Sequence, residues 1–228
     1  LNLNKLNMDK QLVIFGTGAF AQVAYFYFKH DSEYEVVAFT ANEEKIEENE
    51  LLGLPVTPFE NIESNYPAEK YDLFLAIGYT KLNKIRAELY NSIKEKGYKL
   101  ATYVHSKIHI WPNNKIGENT FIFEDNTIQP FVEIGNNVVL WSGNHIGHHS
   151  IIGDHCFLTS HVVVSGFVNM GRYCFLGVNA TLRDSITIGE KCILGAGTLI
   201  LKDTQPNEVY IGPKSEPIPK ESSEIKRF

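Results

Sequence analysis

From Val104 to Ile200 every sixth residue is large and apolar, an unbroken run that passes through Ile122, Ile134, Ile146, Leu158, Met170, Leu182 and Leu194. A helix buries a residue every three to four positions and a half-buried strand every second, so neither explains a strict six. Such a period is the mark of a parallel β-helix of hexapeptide repeats, three hexads making one triangular coil of eighteen residues. Glycine follows the key residue at Gly117, Gly135, Gly147, Gly153, Gly171, Gly177, Gly189 and Gly195, where tight corners are expected to need a backbone without Cβ. Cys156, Cys174 and Cys192 share the small-residue place of the hexad at intervals of eighteen. They are expected to stack inward on successive coils as small hydrophobes.

The first hundred residues follow another pattern. A strand at Leu12–Phe15 runs into Gly16-Thr17-Gly18-Ala19-Phe20-Ala21 and a helix to about Lys29. Strands at Glu35–Thr40 and Tyr71–Ile77 and an amphipathic helix over Lys81–Lys96 complete a small α/β unit with about three parallel strands. The expected division is a Rossmann-like domain over 8–103 and a β-helix with a C-terminal tail over 104–228, with Leu1–Asn7 a polar tail before Met8. The Gly16-x-Gly18 turn sits where strand meets helix and backbone N–H groups converge on a phosphate; a turn that only packs helix on strand is the alternative. The place of a ribose-binding acid after the second strand holds Phe39-Thr40-Ala41-Asn42, which argues against a nicotinamide cofactor and for a mononucleotide or nucleotide-sugar.

A net charge of -6 with both signs scattered leaves no basic face for nucleic acid. No apolar run is long enough to span a bilayer, and unpaired cysteines fit a reducing compartment, so a cytoplasmic location is expected. Five histidines, His145, His148, His149, His155 and His161, crowd two coils but fall in different hexad phases, and no metal site is expected. His148 stands apart because Gly166 follows it by eighteen, one rung or about 4.8 Å away. A glycine there opens a notch beside the imidazole and bares a backbone N–H suited to an oxyanion. His148 is then placed to act as general base on an attacking amine or hydroxyl. Phe131, His149 and Phe167 form one column, either a plain stacking ladder or, with Trp141, a wall for a sugar. Val139, Trp141 and Phe157 point outward by phase, and cyclic association would cover such a face.

The glycine turn, Ala76-Ile77-Gly78, Asn83-x-x-Arg86, Val104-His105-Ser106, Ile146-Gly147-His148-His149 and Ser165-Gly166, in this order, resemble the sugar acyltransferases of the NeuD/PglD type. The resemblance runs from Lys10 to about Pro213. It implies an α/β Rossmann-like domain followed by a left-handed parallel β-helix, and a homotrimer with active sites between neighbouring helices. It also implies acetyl-CoA as co-substrate and N-acetylation of a nucleotide-linked amino deoxysugar in surface polysaccharide or glycan synthesis, with O-acetylation of sialic acid or a related sugar as the alternative. By resemblance His148 is the base, with His149 where an acidic neighbour usually orients it, so that Asp154 or Asp184 would have to polarise the ring. Gly166, Gly177, Val178, Gly195 and Ala196 match the cofactor stretches, and Gly212-Pro213-Lys214 replaces the usual Gly-x-Pro-Ala. Gly16, Gly18, Asn83 and Arg86 are the candidates for the nucleotide end of the acceptor.

Overall fold

The computed structural model describes residues 10–225; the opening segment with Met8 and residues 226–228 lie outside the described residues. The first domain contains β1 (Lys10–Phe15), α1 (Ala19–Asp31), β2 (Tyr34–Ala41), β3 (Glu50–Leu51), β4 (Leu54–Pro58), β5 (Tyr71–Leu75) and α2 (Lys84–Glu95). The strand order is β3-β4-β2-β1-β5, parallel except for β3. The sheet is thus larger than the expected three strands by the β3–β4 hairpin. Pro55 and Pro58 hide β4 from a pattern reading, because proline normally demotes a strand. Helix α2 starts at Lys84 rather than Lys81, since Lys81, Leu82 and Asn83 take left-handed φ of 50°, 52° and 61°.

From Tyr103 onward two-residue strands stack every eighteen residues on three parallel faces. One face runs from Tyr103–Val104 through Phe121–Ile122, Val139–Leu140, Phe157–Leu158 and Phe175–Leu176 to Val209–Tyr210. The second carries Thr127–Ile128, His145–Ile146, Val163–Val164, Thr181–Leu182 and Leu199–Ile200, and the third Lys115–Ile116, Glu133–Ile134, Ile151–Ile152, Asn169–Met170 and Thr187–Ile188. The hexad key residues from Ile122 to Ile200 fill one core together with Cys156, Cys174 and Cys192, all unpaired and fully buried. Each of these thiols donates to a carbonyl of the next coil, Gly171 O, Gly189 O and Gln205 O.

The glycines after the key residues have a different cause from the one expected. A Cβ on Gly117, Gly147 or Gly177 would lie 2.5–2.6 Å from the backbone of the rung above, at Asn136, Gly166 and Ala196. Close stacking of rungs excludes a side chain there, and none of these glycines has positive φ. The left-handed corner residue comes two places later and is rarely glycine: Phe131, Asn137, His149, His155, His161, Phe167 and Tyr173 have φ between 55° and 65°. Such a conformation is uncommon for bulky residues. Here each αL side chain lies over its counterpart one coil away, and the corners become stacked columns.

The first face of the β-helix is docked against the first domain. Phe121, Phe123, Val139 and Phe157 are buried in one cluster with Phe28, Phe39, Phe74 and Tyr103. Val139 and Phe157 do point outward from the β-helix, but the chain's own first domain covers them rather than another copy. Trp141 likewise stacks on Phe123 at 4.3 Å, with Phe20 beside it.

A polar seam runs along the corner between the third and docked faces. Asn119 exchanges hydrogen bonds with both Leu75 backbone groups and donates to Asn137, which donates to His155 Nδ1 at 2.9 Å. Burial, with the nearby Arg86 charge adding to it, lowers the His155 pKa to about 4. Neutral His155 is therefore favoured by folding, and its contribution is complete above the unfolded value near 6.5 and lost as pH falls toward 4. The melting temperature is expected to be level above pH 6.5 and to drop between pH 6.5 and 4. A His155→Gln variant, which keeps an acceptor for Asn137 without a titrating ring, is expected to lose most of that slope; equal slopes in the two proteins would remove His155 from the account.

Candidate active site

His148 and His149 occupy the corner between the second and third faces, on the far side of the apolar core from the docked domain. Gly147 N–H donates to Val164 O and Phe167 N–H to His148 O, while His148 N–H donates to Gln129 Oε1 at 2.8 Å. The His148 ring is thereby held over the Gly166 rung. A Cβ on Gly166 would stand 2.9 Å from both Nε2 and Cε1 of His148, so only glycine keeps the notch open. Both histidines are exposed.

His149, in its αL conformation, is sandwiched between Phe131 and Phe167 with ring centroids at 4.5 and 4.8 Å and interplanar angles of 23° and 17°. Phe167 also meets the His148 ring edge at 5.0 Å. The column is thus a true stack. His149 Nδ1 lies 3.1 Å from His148 Nδ1, and one of the two must donate and the other accept. Neither carboxylate considered for this role reaches His148. Asp154 Oδ1 accepts from Asn136 N–H on another corner, and Asp184, two rungs above His148, pairs with Ser185. The partner of His148 is its sequence neighbour, an imidazole in place of a carboxylate.

Gly177, Val178, Gly195 and Ala196 come together on the corner between the docked and second faces, apart from His148 and Gly166. Gly177 and Gly195 are glycines for the rung contact that all such positions share, since a Cβ would meet Ala196 N at 2.5 Å and Tyr210 O at 3.0 Å. Val178 and Ala196 form a shallow exposed strip beside them. Trp141 belongs to this corner too, so it is no part of a wall around His148. Gly212 packs tightly over Ala196 O and brings the altered C-terminal motif onto the last coil.

In the first domain a cavity of about 400 Å³ opens at the carboxyl ends of β1, β2 and β5. Gly16, Thr17, Gly18, Asn42, Glu44 and Lys45 line it over an apolar floor that includes Ile77, Ile85 and Leu89, and Lys45 lies 3.4 Å from the Glu44 carboxylate. Gly16 has φ 125° and a Cβ there would press on Ala76 O at 2.8 Å, while Gly18 caps α1 with open space around it. The turn therefore packs strand on helix at Gly16 and presents a bare helix N-terminus at Gly18. Lys45 escaped the sequence reading, and Asn42 entered it only at the place of a missing ribose-binding acid; the available signal was a lysine standing alone among the acids of 43–50.

Asn83 and Arg86, by contrast, do not line this cavity. Both are fully buried between the domains. Arg86 donates to Asn137 Oδ1, Asn83 Oδ1, His155 O and Cys156 O at 3.2–3.3 Å and stacks over Phe157, and Asn83 Nδ2 donates to Cys174 O. A side chain with no solvent access cannot touch a substrate, and these two residues are corrected from nucleotide contacts to interdomain ties. The five clustered histidines fall on all three corners and on the second face, and among the described residues no group of three or more His, Cys, Asp or Glu is placed to hold a metal.

Family models match parts of both domains. Residues 11–93 match the PglD N-terminal domain, 131–166 the bacterial transferase hexapeptide (six repeats), and 168–202 the hexapeptide repeat of succinyl-transferase. The crystal structure of PerB from Caulobacter crescentus, in complex with CoA and GDP-perosamine, superposes with a TM-score of 0.79 at 25% identity, covering 89% of this chain and 94% of that one. A mutant of perosamine N-acetyltransferase from the same bacterium, with the same ligands, gives 0.78 at 25% identity over 89% and 93%. The acetyltransferase domain of PglB from Neisseria gonorrhoeae shares the fold, with a TM-score of 0.76 at 19% identity over 92% of this chain and 100% of that domain.

Proposed function

We propose that this chain, a sugar acyltransferase of the NeuD/PglD type, moves the acetyl group of acetyl-CoA onto the amino group of a nucleotide-linked amino deoxysugar. The observation that carries the reading is the His148 imidazole over the Gly166 notch. With the shared proton on His148 Nδ1 and His149 Nδ1 accepting, His148 Nε2 keeps its lone pair toward the notch. His148 Nε2 takes the proton of the attacking amine as the N–C bond forms. The Gly166 N–H faces the carbonyl oxygen as it gains charge, the C–S bond breaks, and the proton passes from His148 to the departing thiolate. No covalent enzyme intermediate is needed, and alignment of both substrates supplies much of the rate.

The division into an acceptor-binding domain over 8–103 and a β-helix over 104–228 belongs to the same proposal. Gly18, Lys45 and Asn42 hold the nucleotide end: the bare α1 terminus and the lysine suit a diphosphate, and the apolar floor suits a base. Gly177, Val178, Gly195 and Ala196 offer the pantetheine arm a strip of small residues. Within one chain this strip, the cavity and His148 lie at separate places around the prism. A homotrimer, in which one copy's cofactor strip and acceptor meet its neighbour's His148 corner, resolves that separation. Ile151, Val163 and Leu199, exposed on the faces the first domain leaves bare, give such an assembly its apolar contact. Three unpaired thiols suit work in the reducing cytoplasm, on precursors of surface polysaccharide or glycan.

The test is thiol release from acetyl-CoA with GDP-, UDP- and dTDP-linked amino sugars and free sialic acid. Release with an amino sugar and an alkali-stable product is expected. An alkali-labile product formed with sialic acid would replace the reading by O-acetylation, and silence across the panel would reject the acceptor class.

A further inference from the structure

A basic cleft lies outside this machinery, between the 81–84 turn of the first domain and the corner joining the third and docked faces. It has a volume of about 410 Å³ and is lined by Lys81, Leu82, Lys84, Arg172, Tyr173 and Lys191. We propose that this cleft is a binding site for a ligand carrying a diphosphate group, distinct from the Gly16–Gly18 cavity.

Four cations converge here on a chain whose net charge is -6, and no carboxylate lines the cleft. Glu190 accepts from Arg172 Nε at 2.8 Å and lies 3.4 Å from Lys191, so one carboxylate is shared between two cations. Lys84 faces Glu88 at 3.8 Å, a loose exposed pair, and Lys81 has no ion pair among the described residues. Counting Glu190 and Glu88 against the four cations leaves a surplus of two positive charges, lessened by the field of Asp154 at Arg172. Glu190 engages Arg172 only through Nε, which leaves the two terminal guanidinium nitrogens for an anion; such a planar fork matches phosphate oxygens.

The backbone holds this arrangement in place. Three successive left-handed residues, Lys81 to Asn83, turn the loop back over the β-helix, and buried Asn83 anchors its end to Cys174 O. Tyr173 is likewise held, its ring tilted by 32° against His155 at 4.8 Å. The surplus positive charges repel one another across this gap in the free protein, and a doubly charged anion relieves that repulsion. Tyr173 and Leu82 add an apolar wall, which favours a diphosphate attached to a nucleoside over the free anion.

Calorimetric titration of the full chain with inorganic pyrophosphate, then with ADP, tests this. Wild type is expected to bind pyrophosphate with an affinity that falls as salt rises. The Lys81→Gln variant should weaken it severalfold and the Lys81→Glu/Lys191→Glu variant at least tenfold, with melting temperatures near wild type. Lys45→Glu disables the diphosphate end of the other cavity, so the variants are compared in that background, where this cleft should still bind pyrophosphate. Tighter binding of ADP than of pyrophosphate in the Lys45→Glu background would identify the nucleotide as the ligand form, and equal binding the bare diphosphate. No binding by wild type, full binding by the Lys81→Glu/Lys191→Glu variant in the Lys45→Glu background, or total loss of binding caused by Lys45→Glu alone would each overturn the proposal.

Discussion

His148→Ala is expected to lower kcat at least about a hundredfold, the usual scale for loss of a general base, with the assembly and the melting temperature unchanged. The ring is exposed and meets Phe167 and His149 only edge-on, so its removal costs little packing. The informative control is His149→Phe. A phenyl ring preserves the stack between Phe131 and Phe167 but cannot accept from His148 Nδ1. One hydrogen bond is worth about 0.5–1.5 kcal/mol, roughly three- to tenfold in rate, so this variant should lose much less than His148→Ala. Near-normal turnover of His148→Ala in the thiol-release assay would sink the assignment of the base.

Arg86→Ala is expected to have the largest effect on stability. Its guanidinium is wholly buried, with four oxygen acceptors and no carboxylate partner among the described residues, and burial lowers its pKa to about 9, so it stays charged at neutral pH. Truncation strands Asn83 Oδ1 and the His155 carbonyl, takes one of two donors from Asn137 Oδ1 and from Cys156 O, and leaves a cavity against Phe157. Each buried acceptor left without a donor costs about 1–3 kcal/mol and the cavity adds to that, together roughly 10 °C in melting temperature for a chain of this size. Arg86→Lys should recover only part of that loss, because a point charge cannot serve four acceptors arranged around a planar fork. A melting temperature within two or three degrees of wild type, by calorimetry, would contradict the role of Arg86 as an interdomain tie.

The periodic half of the chain was legible because its geometry repeats. Intervals of eighteen place Gly166 over His148, stack Phe131, His149 and Phe167, and bury the three cysteines, all as the structure has them. Arg86 and Asn83 were misread because their partners stand 51 to 91 positions away, and docking of two domains leaves no local period. Burial of Val139 and Phe157 was hidden for the same reason: phase says that they point out of the prism, not what meets them there. The glycines were recognised as special, but the cause, contact with the next rung, needs coordinates. The β3–β4 hairpin was masked by its prolines and its short length.

The first domain covers one side of the prism while His148 stands on the opposite corner, and this has a genetic consequence under the proposed trimer. Each subunit would be half of two workstations, presenting its own cargo to one neighbour and processing the cargo of another. A lesion in the nucleotide cavity and a lesion at His148 then fall in different complementation groups, although one gene encodes both. Mixed assemblies of two inactive alleles would contain working junctions that neither allele forms alone.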